Sequence, residues 1–246
     1  MRWSEQVFRY CERGLDPAFW AEPLNAASNL AFLGVAAVML VRVRNLGPAV
    51  PASRRRALTL MAGLVAMVGA GSFLFHTFAT RWALTADVLP IFLFMVVYLA
   101  FALQVLLGLG RAATTAIIGA FMAATIAASS IACPTLLAGM ARGVAEPCLR
   151  GTVGYVPALL ALAVTGSLLR QRHPAAPRLL AAAGVFLAAM LLRWLDRDLC
   201  AATQVLGAVR GTHALWHLLN AVTLYVLLTV AIEAAVQPDV RRNVAD

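Results

Sequence analysis

Seven apolar runs, each about long enough to cross a lipid bilayer, alternate with short polar connections along the chain. A hydrocarbon core of about 30 Å takes roughly 20 helical residues. The pattern predicts an all-α fold, a seven-transmembrane helical bundle in one integral membrane domain over residues 1–246, with residues 1–23 as a polar cap. The predicted spans are 24–44, 55–77, 83–107, 112–132, 152–170, 178–195 and 212–235.

Composition strengthens the membrane interpretation. Hydrophobic residues make up 62% of the chain and charged residues 13%, with a mean hydropathy of +0.82. Soluble domains average roughly 45–50% apolar and roughly 25% charged residues, so a water-soluble protein is excluded. The first 23 residues carry several charges and lack the apolar segment of a signal peptide. We therefore expect the first span to act as the targeting element.

The net charge of +9 comes from arginine alone, because the sequence has no lysine. The arginines fall mostly in connections and form no basic stripe with interleaved aromatic residues, so we expect no nucleic-acid partner. Arg54–Arg56 lie in the short connection after the first span, where the positive-inside bias acts strongly. We expect the N-terminus outside and the C-terminus in the cytoplasm. Arginine and alanine richness without lysine favours a bacterial cytoplasmic (inner) membrane.

Ionisable side chains are costly inside a span and usually functional, and four of them stand out. His76 ends the second span, Asp87 opens the third, and His213 and His217 open the seventh. Because successive spans alternate in direction, all four share one bilayer depth, near the outer face on this topology. The fourth histidine of the chain, His173, falls in a polar connection and is interpreted as a solvated loop residue.

The i,i+4 spacing of His213 and His217 places both imidazoles on one helical face, and His76 could supply a third nitrogen. Three protein ligands and a water are typical of a catalytic zinc site. Asp87 could accept the proton of that water, and Ser72, one turn before His76, could donate a hydrogen bond to a developing oxyanion. The alternative is that these groups form interhelical hydrogen bonds that stabilise the bundle.

These residues resemble the alkaline ceramidases, seven-span zinc amidases in a superfamily that includes the progestin and adiponectin receptors. The superfamily pattern is SxxxH, an aspartate eleven residues later and HxxxH in the last span. The N-terminal YCE and AEPLNAASNL, together with DVLP, WLDRDLC and HALWH, are similar to ceramidases specifically. The positions that carry this resemblance are Tyr10, Cys11, Glu12, Glu22, Pro23, Asn25, Ser28, Asn29, Ser72, His76, Asp87, His213 and His217.

The resemblance implies zinc on His76, His213 and His217, with Asp87 as the base and Ser72 as its helper. It implies a hydrolase that cleaves the amide of ceramide, or of a related membrane lipid, to a fatty acid and a sphingoid base. Trp216 would line the substrate or, alternatively, belong to the interfacial aromatic belt. Two rivals stay open, a seven-span lipid receptor with a structural zinc and a hydrolase of another lipid bond, such as an ester or an N-acyl amino acid.

The resemblance also raises calcium as a second cofactor, with Glu12, Glu22 and Asp16 as candidate ligands. Ceramidases that bind calcium near the N-terminus have a carboxylate where this chain has Arg9 and an asparagine where it has Gly14. Calcium takes six to eight oxygen ligands, so the remaining carboxylates are few. The sequence therefore favours a solvated acidic cap, paired with Arg9 or Arg13, over a calcium site.

All four cysteines fall on the outer side in the predicted topology. Four cysteines allow three pairings. The resemblance favours Cys11–Cys200, and Cys133–Cys148 would then close the longest outer loop. Disulfides would imply an oxidising outer compartment, and buried free thiols are the alternative.

Overall fold

The computed structural model describes residues 2–132, 148–171, 173–205 and 207–237. Within these ranges seven helical spans are long and apolar enough to cross a membrane, which confirms the all-α seven-span prediction. The first span consists of two helices that meet at Asn29. The helices are α1 Pro23–Ser28, α2 Leu30–Arg44, α3 Ala52–Phe78, α4 Arg81–Phe101, α5 Arg111–Ser129, α6 Val156–Leu169, α7 Ala176–Leu195 and α8 His213–Val236.

Short irregular elements complete the described part of the chain. A π-helical turn, Ala102–Leu106, extends α4, and 3-10 turns precede α6 and follow α7. The strands β1 Gln204–Val205 and β2 Ala208–Val209 form a small antiparallel hairpin before α8. These elements lie at the ends of the long helices.

Helix α3 packs mainly against α2 and α4, and α7 packs mainly against α6 and α8. Large side chains such as Met61 and Leu179 are fully buried in the half of the bundle that holds the start of α3 and the end of α8. Val41, Leu168 and other large apolar side chains face outward and are exposed, as expected for surfaces that contact lipid.

The turn between α3 and α4 brings these two helices unusually close together. Ala79 ends α3 in the left-handed conformation with φ 47°. A side chain at Gly71 would overlap the carbonyl of Ala86, so only glycine permits this approach. Pro90 has no N–H to donate to that carbonyl, which leaves the Ala86 oxygen free to face α3. The close contact holds the polar end of α3 against the start of α4.

The N-terminal cap packs on the same turn. Val7 N donates to Ala79 O at 2.6 Å, and Arg81 N donates to Glu5 O at 3.1 Å. The Arg81 and Glu5 side chains also pair, with Nε and Oε2 2.8 Å apart. The cap therefore covers the bundle end where α3 ends and α8 begins.

Candidate metal centre and substrate cavity

Three histidines converge at the capped end of the bundle. His76 lies in the last turn of α3, and His213 and His217 lie in the first two turns of α8. One ligand nitrogen from each lies within 4.8 Å of the others, and all three residues are buried. The structure thus brings together the three side chains that the sequence predicts as metal ligands.

His76 is oriented by a carboxylate from the cap. Its Nδ1 donates to Glu22 Oε2 at 2.5 Å, which leaves Nε2 with a lone pair, buried and without a hydrogen-bond partner. Burial acts to raise the pKa of Glu22, but hydrogen bonds from His76, Asn25 and Arg13 outweigh it, so that pKa is lowered and Glu22 is a carboxylate. A carboxylate behind a histidine fixes the tautomer suited to metal binding.

His217 is oriented in the same way by a hydroxyl. Ser28 Oγ donates its proton to Asn25 O at 2.8 Å and lies 2.7 Å from His217 Nδ1. Because that proton is already used, Ser28 accepts from His217 Nδ1–H. His217 Nε2 therefore carries a lone pair, and it lies 3.4 Å from Ser72 Oγ.

His213 is held by the cap and by the end of α7. Its backbone N–H and that of Thr212 donate to Asp196 Oδ1 at 2.9 and 2.7 Å, which satisfies two donors at the start of α8. The imidazole stacks on the Tyr10 ring with centroids 3.6 Å apart, and its Nδ1 has no hydrogen-bond partner. Burial raises the pKa of Tyr10 to about 12, so its phenol stays neutral.

This donor set fits a transition-metal ion. Two of the buried imidazole nitrogens have no hydrogen-bond partner, which is costly unless something else occupies them. Three imidazole nitrogens suit zinc better than a hard cation such as magnesium or calcium, which prefers oxygen ligands. Each histidine is also positioned by its own contact with the cap or with α1.

Ser72 and Asp87 lie beside the histidines in a cavity between the helices. Asp87 is buried and within interaction range of Ser72 and His76. Trp216 also lines this cavity and packs against Tyr155 at 5.2 Å between ring centroids, rather than in an interfacial belt. Ser72, Asp87, His213, Trp216 and His217 therefore line one cavity, and His76 lies next to it, with a ligand nitrogen within 4.8 Å of those of His213 and His217.

The cavity encloses about 1090 Å³ of empty space, counting its open mouth. Asp87, His213 and His217 lie together at one end of it, and the rest of its lining is mostly apolar. Such a cavity suits a ligand with one polar group and long hydrocarbon chains. Apolar lining residues include Phe32, Ile91, Phe94, Leu99, Phe121, Phe186, Leu224 and Leu227.

Comparison with known families agrees with this geometry. The ceramidase family model matches residues 8–243, nearly the whole chain. The chain belongs to the ceramidase family. No curated protein matches it. Membership of the ceramidase family indicates ceramide hydrolysis in general and a lipid substrate met within the membrane.

The calcium ligands suggested for this chain do not converge on a shared site. Both Glu12 oxygens accept backbone N–H groups at the start of α1, from Leu24 at 2.9 Å and Asn25 at 2.8 Å. Asp16 is exposed and accepts from a backbone N–H of its own loop. Glu22 instead contacts Arg13, with Nε and Oε1 2.6 Å apart. The carboxylates do not fit calcium, and the cap is a buried network rather than a solvated one.

Arg13 fills the centre of this network. Its Nε donates to Glu22, and its terminal nitrogens donate to four backbone carbonyls. Two of these carbonyls, His76 and Thr77, belong to the end of α3, at 2.8 and 3.1 Å. All five guanidinium N–H groups therefore have acceptors, and the cap is tied directly to a metal-ligand helix.

The structure joins Cys11 to Cys200 in a disulfide, with Cα atoms 5.6 Å apart. Cys11 N also donates to Asp196 at 2.9 Å. These contacts link the cap to the loop that precedes α8. Cys133 lies outside the described residues, so its pairing with Cys148 stays a prediction.

Sequence reasoning missed several residues that position the candidate site. The acidic cap was expected to pair with Arg9 or Arg13, and Arg13 does pair with Glu22, but the contacts of Arg13 with backbone carbonyls and the orienting contacts of Glu22 and Ser28 were not predicted. The buried Arg193 was also missed, because it lies in the charged stretch RWLDRD at the end of α7. A signal was present for Ser28, which lies in a predicted span where a polar side chain needs a partner.

Proposed function

We propose that this ceramidase-family chain is a zinc-dependent amidase that cleaves the amide of ceramide or a related lipid to a fatty acid and a sphingoid base. The observation that carries the proposal is the buried triad of His76, His213 and His217 at the polar end of an apolar cavity. Two of its nitrogens have no hydrogen-bond partner.

The three imidazoles would hold the ion through the nitrogens that face one another. Zinc bound there would supply a Lewis acid that polarises the amide carbonyl and makes water nucleophilic near neutral pH. Glu22 and Ser28 keep His76 and His217 in the tautomers that can bind it.

Asp87 is the proposed general base and acid. Its buried carboxylate lines the cavity beside the triad, where it would take a proton from the attacking water and deliver it to the leaving amine nitrogen. The Ser72 hydroxyl would donate a hydrogen bond to the oxyanion that develops on the carbonyl oxygen. The apolar end of the cavity would hold the hydrocarbon chains and exclude water from the amide.

We also propose that the site faces the outside of a bacterial cytoplasmic membrane. Arg54–Arg56 lie at the start of α3, 20 or more residues before His76, which separates them by roughly 30 Å along the helix. Arginines at that end favour a cytoplasmic location. The Cys11–Cys200 disulfide at the histidine end favours an oxidising compartment there.

The test combines metal content with product release. Purified protein would be assayed for bound zinc and, by mass spectrometry, for fatty acid released from N-acyl sphingoid bases of several chain lengths. His217→Ala should lose both zinc and activity. Asp87→Asn should keep its zinc and lose roughly 10²–10⁴-fold in turnover, the usual contribution of a general acid–base.

His173→Ala is the matched control, because it removes the remaining histidine, whose ring accepts from Ala175 N in a connection between spans. It should leave zinc content and turnover unchanged. Full activity in His217→Ala or in Asp87→Asn would overturn the mechanism. Zinc without any product across the lipid series would favour the receptor, and release from esters or N-acyl amino acids alone would favour another lipid bond.

A further inference from the structure

A second cavity, of about 670 Å³ counting its open mouth, lies at the capped end of the bundle. Four arginines line it, and we call it the arginine pocket. Asp196 is the one carboxylate among its lining residues. The full lining is Val7, Phe8, Arg9, Tyr10, Arg150, Arg193, Asp196 and Arg197.

Arg193 is the buried arginine of this pocket, with 8% of its surface exposed. Its terminal nitrogens donate to Arg150 O at 3.0 Å, to Thr152 Oγ1 at 3.3 Å and to Tyr10 Oη at 3.4 Å. Within the described ranges no carboxylate forms an ion pair with it. A buried guanidinium held only by neutral groups is costly, and such charges are normally paired. Among the described residues the pocket therefore offers Arg193 no paired anion, because Asp87 interacts with its charge without an ion pair and lines the neighbouring cavity.

The carboxylates nearby do not supply that anion. Asp196 is occupied by three backbone N–H groups, from Cys11, Thr212 and His213. Asp198 pairs with Arg150 at 2.8 Å and is half exposed. Arg9 forms neither a hydrogen bond nor an ion pair with any described residue. Among the described residues that line the pocket, four arginines thus face one carboxylate.

The arginine pocket adjoins the candidate active site. Arg193 and Tyr10 line both cavities. The Tyr10 hydroxyl accepts from Arg193, and its ring stacks on His213. The Arg193 guanidinium also lies 5.5 Å from the Trp216 ring centroid. A lipid whose amide lies at the histidines would therefore extend its head group, a few bonds away, toward these arginines.

We propose that the arginine pocket binds a phosphate-type oxyanion on the head-group side of the scissile amide, so that the preferred substrate is an anionic lipid amide. The inference rests on the proposed function and names its substrate class. Guanidinium groups bind phosphate oxygens through paired, charge-assisted hydrogen bonds. A phosphate would pair the charges of Arg193 and Arg9, while the hydrocarbon chains occupy the apolar cavity.

The test compares an N-octanoyl sphingoid base with the same lipid bearing a phosphate monoester on its primary hydroxyl. The zinc-loaded enzyme should show a kcat/KM at least about tenfold higher for the phosphorylated lipid. Arg9→Gln should lower this ratio by reducing turnover of the phosphorylated lipid alone, and Arg193→Gln should lower the ratio as well. Arg193→Lys should retain part of it. Equal or reversed preference in the wild type, or an unchanged ratio in both glutamine variants, would overturn the inference.

Arg56→Gln is the matched control, since it makes the same change at an exposed position at the start of α3. It should leave the ratio unchanged. A purely structural role for Arg193 would lower turnover of both lipids together. Arg9→Gln separates the two cases, because Arg9 forms no hydrogen bond in the described structure and its loss should not disturb the fold.

A binding measurement separates this inference from the proposed function. Asp87→Asn should bind the phosphorylated lipid more tightly than the neutral one, and adding Arg9→Gln should remove the difference. Zinc-dependent hydrolysis without a preference between the lipids would support the proposed function and overturn this inference. Preferential binding of the phosphorylated lipid without any hydrolysis in the wild type would overturn the proposed function and support anion binding in the pocket. Binding of inorganic phosphate without a preference between the lipids would assign the pocket to free phosphate and overturn the substrate class.

Discussion

The two ends of the helical bundle are stabilised by different interactions. At the histidine end, buried polar groups such as Arg13, Glu22 and Asp196 form a network between the cap, α3 and α8. At the opposite end, apolar side chains fill the core, and the Arg178–Glu233 ion pair lies on the surface. The histidine end positions chemical groups through hydrogen bonds and ion pairs, and the opposite end holds the helices together by apolar packing.

Of the substitutions considered, Glu22→Gln should cause the largest loss of unfolding free energy and of zinc affinity. It removes the charge that pairs with Arg13 and orients His76. Breaking a buried ion pair costs about 3–5 kcal/mol of unfolding free energy, and loss of an orienting contact weakens metal binding roughly 10–100-fold. Unfolding in mixed micelles and zinc competition with a chelator would measure the two effects.

Glu233→Gln is the matched change at the opposite end. Its partner Arg178 is 39% exposed, and exposed ion pairs contribute about 0–1 kcal/mol. Zinc affinity should not change. Equal losses in the two variants would contradict the contrast between the ends.

The part of the site that could be predicted is the part set by bilayer depth. The spacing of His213 and His217 fixes their shared face, and helix direction places His76 at the same level. Both inferences use only helical geometry and span order. The seven-span count was predictable for the same reason, because the bilayer sets the length of each apolar run.

The network that holds the histidines could not be predicted in this way. Glu22 is 54 residues from His76, and their contact depends on the path of a loop that crosses the end of the bundle. The bilayer depth of a residue does not determine the path of such a loop. The carboxylates of Glu12 and Glu22 therefore suggested a metal, while the structure uses one to cap α1 and the other to pair with Arg13.

Leu179→Ala should have the second-largest effect, and that effect should be confined to the free energy of unfolding. Leu179 is fully buried on α7 in the apolar half of the bundle. Lost packing and a cavity should cost about 2–3 kcal/mol of unfolding free energy, and less if the site collapses. Zinc affinity should stay at the wild-type value. Leu168→Ala, on an outward-facing side chain of α6 that is 60% exposed, serves as control and should cost little.

A fall in zinc affinity in Leu179→Ala comparable to that in Glu22→Gln would show that the two ends are coupled. The contrast would then be wrong, since packing at one end would determine the geometry of the other.

Ser28→Ala should weaken metal binding with a smaller effect on stability. It removes the acceptor that fixes the His217 tautomer but leaves no buried charge without a partner. Zinc affinity should fall about tenfold, at the low end of such changes. Ser130→Ala is the matched control, because that hydroxyl donates only to Ile126 O of its own helix. Unchanged zinc affinity in Ser28→Ala would argue against the proposed tautomer.

The smallest effect is expected from calcium, and it tests how the cap is held. The Arg13 guanidinium donates to one carboxylate oxygen and four carbonyl oxygens. Its positive charge therefore already occupies the position among these oxygens that a calcium ion would take. Ligand binding raises stability only where the folded protein offers a site. Adding calcium should therefore move the unfolding midpoint by less than about 1 °C, whereas zinc should raise it clearly.

A saturable stabilisation by calcium would show that Glu12, Glu22 and Asp16 can leave their present partners and converge on an ion. That rearrangement would break the Glu22 contact with His76 and so couple calcium to the metal centre. The structure favours the opposite arrangement. Because the Arg13 charge cannot dissociate, the order of the cap, and through it the position of His76, should not depend on the calcium concentration outside the membrane.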